Sequence, residues 1–357
     1  MKIIRLSTFL DYGGIETKMV NLSSLKDGNT WIFCAIGKGG KASKAIMNNN
    51  RKVKTLNLNH KIPNFFTIIT LYKFFKKERP HVLHTSGAEA NFHGIIAAWF
   101  ARCPVIVAEE IGIPSQSKMA IIIFKWLYGM ADFVVGESKA VVDNLMEKYS
   151  INRNKVKVIS NFLVVPKYVV IEEKNNSTSL PFTICAISRL ETVKNIEGVL
   201  VALAKLKKRG YIFRFLIAGN GSKEMSLKEL VLTLKLTDEV QFLGYVENPY
   251  AILNKADLYI LNSFSEGFSN SLLEAMYSKT PVISTNVGAA TEFIDHGKNG
   301  WIVPVNSNIK LAQQIEEIMI ISASRRQVIG YNGYNTVIEN YTLEQHLEKL
   351  LSIYNKS

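Results

Sequence analysis

The sequence predicts an α/β protein made of two doubly wound, parallel-sheet domains. Two observations carry this prediction: the chain has 357 residues, and short apolar runs alternate with segments of helical periodicity from end to end. A typical domain has ~100–200 residues, so two domains are expected. Strands of a parallel sheet are covered by helices on both faces, and they therefore appear as continuous apolar runs.

Residues 1–165 hold the first series of elements. Each predicted strand is an apolar run bounded by Gly, Pro, Asn or polar residues, and each predicted helix repeats its apolar residues every three or four positions. The strands are predicted at residues 3–7, 31–36, 53–58, 81–85, 105–108, 133–135 and 156–160, and the helices at 15–25, 64–77, 88–101, 118–130 and 138–148.

A second series follows a segment without periodicity. Residues 161–179 contain Pro166 and a run of charged and amide side chains, which is typical of a linker. Beyond it, strands are predicted at residues 182–187, 213–218, 240–243, 257–261, 282–284 and 301–303, and helices at 195–209 and 269–277.

We therefore expect a first domain over residues 1–165, a second over 166–340, and a helix within 341–357 that packs back toward the first domain. Ligands of such sheets bind beyond the carboxyl ends of the strands, here in a central cleft between the domains.

The composition excludes several classes of protein. Hydrophobic residues make up 47% of the chain, which is enough for packed cores. No apolar run reaches the ~18 residues of a transmembrane helix, and the first residues become polar too early for a signal peptide. The three cysteines, Cys34, Cys103 and Cys185, form no Cys-x-x-Cys pair, which argues against a metal cluster or a disulfide scaffold. We expect a cytoplasmic protein.

The charge is distributed unevenly between the two halves. Residues 1–165 carry 23 Lys and Arg against 11 Asp and Glu, a net +12, whereas residues 166–357 carry 20 against 19. A basic half predicts an anionic partner for that half, either nucleic acid or an acidic membrane surface.

Two glycine loops follow predicted strands. Gly13 and Gly14 precede a helix, and bare amides at a helix N-terminus bind anions, although an ordinary tight turn has the same pattern. The second is Gly219-Asn220-Gly221, a single Gly-x-Gly turn that is a weak signal by itself.

A third loop carries two cations. Arg189 and Lys194 lie five residues apart after the first strand of the second domain, and both could reach a diphosphate. The alternative is that both are solvated surface residues.

The fourth loop gives the strongest signal. Glu266 precedes a predicted helix that Ser269 or Asn270 can cap, and Glu274 lies two turns into that helix. The helix start suits a phosphate, while acceptor-only carboxylates on either side suit sugar hydroxyls.

Together these motifs resemble one known family, the family-4 retaining glycosyltransferases of the GT-B fold. The resemblance spans essentially the whole chain, from Gly13-Gly14-Ile15-Glu16 to a closing helix near residues 342–354. Its motifs in the second half are, in order, Ser188-Arg189-Leu190 with Lys194-Asn195, Gly219-Asn220-Gly221, Phe242-Leu243-Gly244-Tyr245-Val246, Ala256-Asp257, Glu266-x7-Glu274, Pro281-Val282-Ile283 and Asn299-Gly300.

The resemblance implies a nucleotide-diphosphate-sugar donor bound mainly by the second domain, an acceptor bound by the first, and neither cofactor nor metal. By position, Glu274 is expected to bind the ribose and Glu266 the donor sugar, while Arg189 and Lys194 neutralise the diphosphate. The remaining donor contacts are expected from the amides of Gly267, Phe268 and Ser269, the backbone near Tyr245, and Gly14.

The first domain departs from the family pattern after residues 104–108. Many relatives place a His there, close to the donor sugar, whereas this chain has Glu109 and Glu110, and Glu110 takes the His position. Glu109 and Glu110 either form a polar acceptor pocket or belong to a solvated turn. His84 is either a helper toward the acceptor or a hydrogen-bonding residue at a strand end.

The resemblance further implies transfer from a nucleotide-sugar, most simply a UDP-sugar, to a glycan hydroxyl with retention of configuration. Bacterial relatives commonly extend polyprenyl-diphosphate-linked O-antigen or capsule glycans.

Two segments of the basic domain, residues 65–77 and 121–128, mix aromatic residues with lysines, which suits a peripheral contact with the inner face of an anionic membrane. The alternative is helices packed on the sheet with their lysines reaching solvent. Nucleic-acid binding has only the charge in its favour, so no nucleic-acid partner is expected.

Three other functions are alternatives for this sequence: a nucleotide-sugar 2-epimerase, a Rossmann dehydrogenase and a non-catalytic partner subunit. The first would not be expected to carry the Arg189, Lys194, Glu266 and Glu274 set, and the second requires Gly-x-Gly-x-x-Gly after the first strand. The third stays open because the family's His is replaced.

Overall fold

The computed structural model describes residues 1–112, 117–165, 169 and 181–355. It divides the chain into two compact units, residues 1–160 with 343–357, and residues 161–342. Within the described ranges, no helix is long and apolar enough to cross a membrane. The linker predicted over residues 161–179 falls mostly outside the described residues.

The first unit is a seven-stranded parallel sheet in the order β3-β2-β1-β4-β5-β6-β7. Its strands are β1 (Lys2–Ser7), β2 (Thr30–Ala35), β3 (Lys52–Thr55), β4 (Val82–Ser86), β5 (Val105–Glu110), β6 (Phe133–Gly136) and β7 (Val156–Val158). Its helices are α1 (Gly14–Ser23), α2 (Lys41–Asn48), α3 (Phe65–Glu78), α4 (Ala88–Ala101), α5 (Lys118–Met130) and α6 (Lys139–Tyr149), together with the C-terminal α14 (Leu343–Tyr354).

The second unit is a six-stranded parallel sheet in the order β10-β9-β8-β11-β12-β13. Its strands are β8 (Phe182–Ile187), β9 (Phe213–Ala218), β10 (Val240–Gly244), β11 (Leu258–Leu261), β12 (Val282–Thr285) and β13 (Trp301–Val303). Its helices are α7 (Ile196–Lys208), α8 (Glu224–Thr233), α9 (Tyr250–Leu253), α10 (Asn270–Tyr277), α11 (Ala290–Phe293), α12 (Asn308–Ile320) and α13 (Ala323–Asn340).

Both sheets reverse their strand order beside their first strand. The reversal lies between β1 and β4 in the first unit and between β8 and β11 in the second. At such a point the loops after neighbouring strands run to opposite faces and leave a crevice for ligand. The segments that the sequence singled out, at residues 11–16, 188–195 and 265–275, follow β1, β8 and β11.

Several predicted elements differ from the structure, and the difference at β5 bears on the site. Strand β5 continues through Glu109 and Glu110, so the loop predicted after residue 108 begins two residues later. All six residues of β5 are buried, because helices cover both faces of the sheet at this point. The sequence patterns did not predict α2, a helix of eight residues, nor α8, α9, α11, α12 and α13 in the second unit.

The boundary between the two units also lies a few residues from the predicted one. Residues 161–165 and 341–342 belong to the second unit, where Leu163 N donates to Tyr341 O over 2.8 Å and Asn161 Nδ2 donates to Asn270 Oδ1 over 3.0 Å. These bonds, which join both chain segments to one another and to α10, place them with the second sheet.

Candidate active site

The loops after β8 and β11 are bonded to each other in the second unit. Phe264 N donates to Val193 O over 2.8 Å, and Asn262 Nδ2 donates to Asn195 O over 3.1 Å. Asn195 caps α7 through its side chain, which accepts from Gly198 N over 3.1 Å. A Cβ at Gly198 would lie 2.7 Å from Asn262 Nδ2, so this contact requires glycine. The two loops therefore form one rigid platform.

Glu266 and Lys194 meet on this platform. Lys194 Nζ lies 2.5 Å from Glu266 Oε1, and Ser263 Oγ donates to the same oxygen over 2.6 Å. The side chains of Lys194 and Glu266 are 16% and 12% exposed, so water still reaches both. The structure thus brings together two residues that the sequence predicted for the diphosphate and the sugar.

The start of α10 lies directly after Glu266. Ser269 is the N-cap, and its hydroxyl accepts from Leu272 N over 3.4 Å. Gly288 has a left-handed φ of +52° and packs against the carbonyls of Glu266 and Gly267, where a Cβ would lie 2.5 Å from the Glu266 oxygen. The amides at the start of α10 are therefore held on a rigid turn and are suited to an anion.

Phe268 contributes packing to the same turn. Its ring lies 5.8 Å from that of Phe293 and 6.0 Å from that of Tyr341. Because the side chain is directed to these aromatic neighbours, the backbone is the part of this residue suited to a ligand.

Glu274 is the fifth residue of α10, so it lies just over one turn into the helix rather than two. Burial raises the pKa of its carboxyl to about 7. Among the described residues, no hydrogen bond or ion pair is found for this carboxylate. Burial also raises the pKa of the nearby Tyr259, and the charges of Glu266 and Glu274 raise it further. The charges of both carboxylates therefore act on Tyr259.

The Gly219-Asn220-Gly221 turn packs against the backbone of the Arg189 loop. A Cβ at Gly219 would lie 1.8 Å from Ser188 O, and one at Gly221 would lie 2.3 Å from Leu190 O. Close approach of two backbones thus explains both glycines. Arg189 extends from this loop as an exposed side chain, and Tyr245, after β10, is 67% exposed.

In the first unit, Gly14 begins α1 and is exposed. A Cβ at Gly14 would meet no atom within 4 Å, so the space beside this residue is open. Its role at an anion-binding helix start stays a prediction.

Glu109 is enclosed in a buried network at the carboxyl end of β5. Its carboxylate accepts from Arg5 over 2.9 Å, from Lys18 over 2.8 Å and from Ser86 over 2.6 Å. Burial alone would raise the pKa of this carboxyl, but Lys18 and Arg5 hold it well below its usual range. The solvated-turn hypothesis for Glu109 is therefore wrong. Its predicted role toward the acceptor stays a prediction.

His84 belongs to the same network and is fully buried. Its Nδ1 lies 2.8 Å from Arg5 Nη1 and 2.5 Å from the hydroxyl of Tyr354 in α14. Burial, together with the charge of Arg5, lowers the pKa of His84 to about 4, so the ring is neutral at pH 7. These contacts agree with the interpretation of His84 as a hydrogen-bonding residue at a strand end. Its role as a helper toward an acceptor stays a prediction.

Glu110 projects from the opposite face of β5, as alternate residues of a strand do. It accepts hydrogen bonds from the Tyr128 hydroxyl and from Asn91 Nδ2, the latter over 3.0 Å. Burial raises the pKa of its carboxyl. The solvated-turn hypothesis is wrong for Glu110 as well, and its approach to a donor sugar stays a prediction.

The sequence analysis missed Arg5, Lys18 and Tyr354. One signal was available for Arg5, which interrupts the apolar run of β1 and, as a charge in a buried strand, requires a partner. No comparable signal marks Lys18 or Tyr354.

Comparisons with known proteins agree with this architecture. Residues 12–164 match the family described as "Glycosyltransferase Family 4", and residues 170–336 match "Glycosyl transferases group 1". The structure of Anabaena Alr3699/HepE in complex with UDP superposes with a TM-score of 0.84 at 18% identity, covering 100% of both chains.

Two curated relatives are similar in sequence. The capsular polysaccharide biosynthesis glycosyltransferase CapM of Staphylococcus aureus is 25% identical over 306 residues, 81% of this chain and 80% of that protein. The N-acetylgalactosamine-N,N'-diacetylbacillosaminyl-diphospho-undecaprenol 4-alpha-N-acetylgalactosaminyltransferase of Campylobacter jejuni is 25% identical over 238 residues, 64% of each chain.

The two parallel-sheet units and their structural relatives show the GT-B α/β fold, and the two family matches show that the chain is a glycosyltransferase. More narrowly, the chain belongs to the family-4 glycosyltransferases.

Proposed function

We propose that this chain is a retaining, metal-independent hexosyl- or N-acetylhexosaminyltransferase. It moves a sugar from a UDP-sugar to a hydroxyl of a lipid-linked glycan during surface polysaccharide biosynthesis, such as that of capsule or O-antigen. The names of CapM and of the Campylobacter enzyme support a surface glycan and a diphospho-undecaprenol acceptor, and the UDP complex of the Anabaena protein supports the nucleotide.

The observation that carries the proposal is the cluster of Lys194, Glu266 and the capped start of α10 on one rigid platform. In this proposal the amides of Gly267, Phe268 and Ser269 hold phosphate and sugar oxygens, and Glu266 accepts from the sugar hydroxyls. Lys194 has three N–H donors, so it can bond to Glu266 and to a diphosphate oxygen at the same time.

The rest of the donor is assigned by position. Glu274 takes the ribose hydroxyls, the backbone near Tyr245 meets the base, and Arg189 adds a second charge on the diphosphate. Gly14, at the start of α1, offers its amide to the same diphosphate. Glu110 takes the place of the family's His beside the sugar.

Transfer then proceeds on one face of the sugar. The bond from C1 to the β-phosphate oxygen breaks as the acceptor oxygen bonds to C1 from the same side, and the acceptor proton passes to a departing phosphate oxygen. The charge that develops on the diphosphate is stabilised by Lys194, Arg189 and the α10 N-terminus, which supply what a divalent cation supplies elsewhere.

Acceptors of this kind are membrane-bound, and the first unit has a surface that suits a membrane. Phe65 and Phe66 on α3 and Ile122 and Trp126 on α5 are each at least 62% exposed. Their exposure supports a membrane contact over helices that only pack on the sheet. We therefore place the protein at the inner face of an anionic membrane, in keeping with the +12 charge of residues 1–165.

The test is incubation of the purified protein with a panel of nucleotide-sugars and a membrane lipid extract, followed by mass spectrometry of the lipids. The expected product is a glycolipid one sugar longer, formed from a UDP-sugar. Recovery of an epimerised nucleotide-sugar would favour the epimerase, and binding without turnover of any donor would favour a non-catalytic subunit.

A further inference from the structure

Two cavities flank the end of α4 in the first unit, at the amino-terminal edge of its sheet. The basic pocket, of about 410 Å³, is lined by Lys76, Arg79 and Arg102 around the chain turns that lead into β4 and β5. The apolar groove, of about 710 Å³, lies between α4 and α5. α4 packs between α3 and α5, and its last residues contribute to both cavities.

The basic pocket holds more positive charge than its surroundings neutralise. Lys76, Arg79 and Arg102 are exposed, and within the described part of the chain no carboxylate pairs with them. The nearby Glu78 is already paired with Lys52 at 2.7 Å and with Lys2 at 3.6 Å. Two helices, α3 and α4, end here, and their carbonyl ends offset about one unit of charge, roughly half a charge each. About two positive charges are left, which suits a phosphate group.

The apolar groove is lined by large side chains that water reaches. Trp99 and Phe100 on α4 are 52% and 57% exposed, and Ile122 and Trp126 on α5 are 68% and 62% exposed. A contiguous apolar surface of this kind marks a binding site. Lys125 lines the same groove, in the arrangement of aromatic and basic side chains that occurs at a membrane boundary.

We infer that the two cavities form one site for an anionic phospholipid, with the phosphate in the basic pocket and an acyl chain in the apolar groove. Phe100 lines the groove and Ala101 lines the pocket, so the two cavities adjoin along the chain. A ligand that fills both must be anionic at one end and apolar at the other. A free phosphate would occupy only the basic pocket. A second copy of this basic unit would be repelled, because it carries the same sign of charge.

This site rests on the proposed membrane placement, and it goes beyond the proposed reaction. The candidate catalytic loops follow the carboxyl ends of the strands, whereas the basic pocket lies at the amino ends of β4 and β5. These strands have five and six residues, which separates the two edges by ~15–20 Å. The bound lipid is therefore an anchor rather than the acceptor.

Tryptophan fluorescence tests the proposal directly. The other two tryptophans, Trp31 and Trp301, are 2% and 6% exposed, so a lipid-induced change reports Trp99 and Trp126. Titration of the full chain with dioctanoyl phosphatidylglycerol below its critical micelle concentration should give a saturable blue shift. Dioctanoyl phosphatidylcholine should bind at least about tenfold more weakly, and neither glycerol 3-phosphate nor inorganic phosphate should cause the shift.

Variants separate the two parts of the site. Arg79→Ala with Arg102→Ala should weaken phosphatidylglycerol binding at least about tenfold, and Ile122→Asp should do the same from the groove. Lys77→Ala, on the same turn of α3 but outside the pocket, is the matched control and should change binding less than about twofold. All variants should keep the wild-type affinity for UDP, and an unchanged circular dichroism spectrum and melting temperature should show that the first unit is folded.

Equal binding of the two lipids, or an equal loss in Lys77→Ala, would overturn the site in favour of general attraction to a charged face. A blue shift produced by inorganic phosphate alone would overturn the lipid in favour of a free anion. Either result leaves the donor-binding proposal standing, because that proposal is tested with UDP.

Discussion

The carboxyl of Glu274 changes its charge within the physiological pH range. Its pKa is about 7 in the folded protein, against about 4.5 when the chain is unfolded. Between these two values the folded state keeps a proton that the unfolded state has lost, so this residue lowers stability as the pH rises from about 4.5 to 7. Above pH 7 the cost is fully present and amounts to at most ~3 kcal/mol.

Glu274→Gln should therefore raise the free energy of unfolding at pH 8 by ~1–3 kcal/mol and change it little at pH 5. The same substitution should weaken UDP binding about tenfold at pH 8, because hydrogen bonds to a charged acceptor are stronger than those to a neutral one. Urea denaturation and calorimetry measure the two effects.

Glu229→Gln, which neutralises an exposed acid on α8, is the matched control and should alter neither quantity. A Glu274→Gln protein with unchanged UDP affinity would refute the ribose role. Equal stability changes at pH 5 and pH 8 would refute the raised pKa.

Arg189 and Lys194 should act on the departing diphosphate. Arg189→Ala or Lys194→Ala should lower kcat by roughly 100-fold, with a smaller rise in KM, because their contacts strengthen as the leaving group gains charge. Initial rates over a range of donor concentrations separate the two constants. Activity should also persist in EDTA, and strict dependence on added Mg²⁺ or Mn²⁺ would contradict the metal-free mechanism.

Lys194 needs one further control, since its removal also leaves Glu266 without its ion pair. Glu266→Gln alone and the double substitution complete a mutant cycle. If Lys194 acted only by holding Glu266, the double substitution would be no slower than Glu266→Gln.

At the scale of elements, the buried network ties the C-terminal helix to the sheet of the first unit. The hydroxyl of Tyr354 in α14 lies 2.5 Å from His84 in β4 and 3.3 Å from Arg5 in β1. Arg5 and Lys18 then meet the single carboxylate of Glu109 in β5. Glu109 in β5 thus connects to β1 through Arg5 and to α1 through Lys18. The helix α14 joins the same network through Tyr354.

Glu109→Gln should lower the free energy of unfolding by ~3–5 kcal/mol, because it leaves two buried cations without an opposite charge. Tyr354→Phe should cost ~1–2 kcal/mol, since it removes only hydrogen bonds. Glu344→Gln, an exposed acid in the first turn of α14, is the control and should be close to neutral. Urea denaturation measures all three, and a Glu109→Gln protein as stable as the control would contradict the network's role.

For the whole molecule, the uneven charge predicts where the protein binds. Attraction of the basic half to anionic lipid should contribute ~1 kcal/mol per basic residue near the surface and weaken with ionic strength. The exposed aromatic residues of α3 and α5 should add a part that salt does not remove.

The protein should therefore co-sediment with anionic vesicles at low salt, bind neutral vesicles weakly and be partly released at high salt. Neutralising Lys73, Lys77 and Lys118, which line neither the basic pocket nor the apolar groove, should weaken sedimentation without changing UDP affinity. Equal binding to neutral and anionic vesicles, or none to either, would contradict membrane docking and favour an acceptor in solution.

The sequence by itself determined the alternation of strands and helices, and with it the two parallel sheets. It also located the loops that bear Arg189, Lys194, Glu266 and Glu274. These features are local: a strand between helices, a glycine before a helix and a capping serine are each encoded by neighbouring residues.

Only the tertiary structure decided which charges are buried and what they meet. Glu109 and Glu110 looked like a polar loop, yet strand β5 extends through both and turns them to opposite faces. Arg5 and Tyr354 lie 349 residues apart in sequence and bond in the folded chain. Short-range patterns can mark a charge in a buried strand, as at Arg5, but they do not identify its partners, because residues that bond in the fold can lie far apart in sequence.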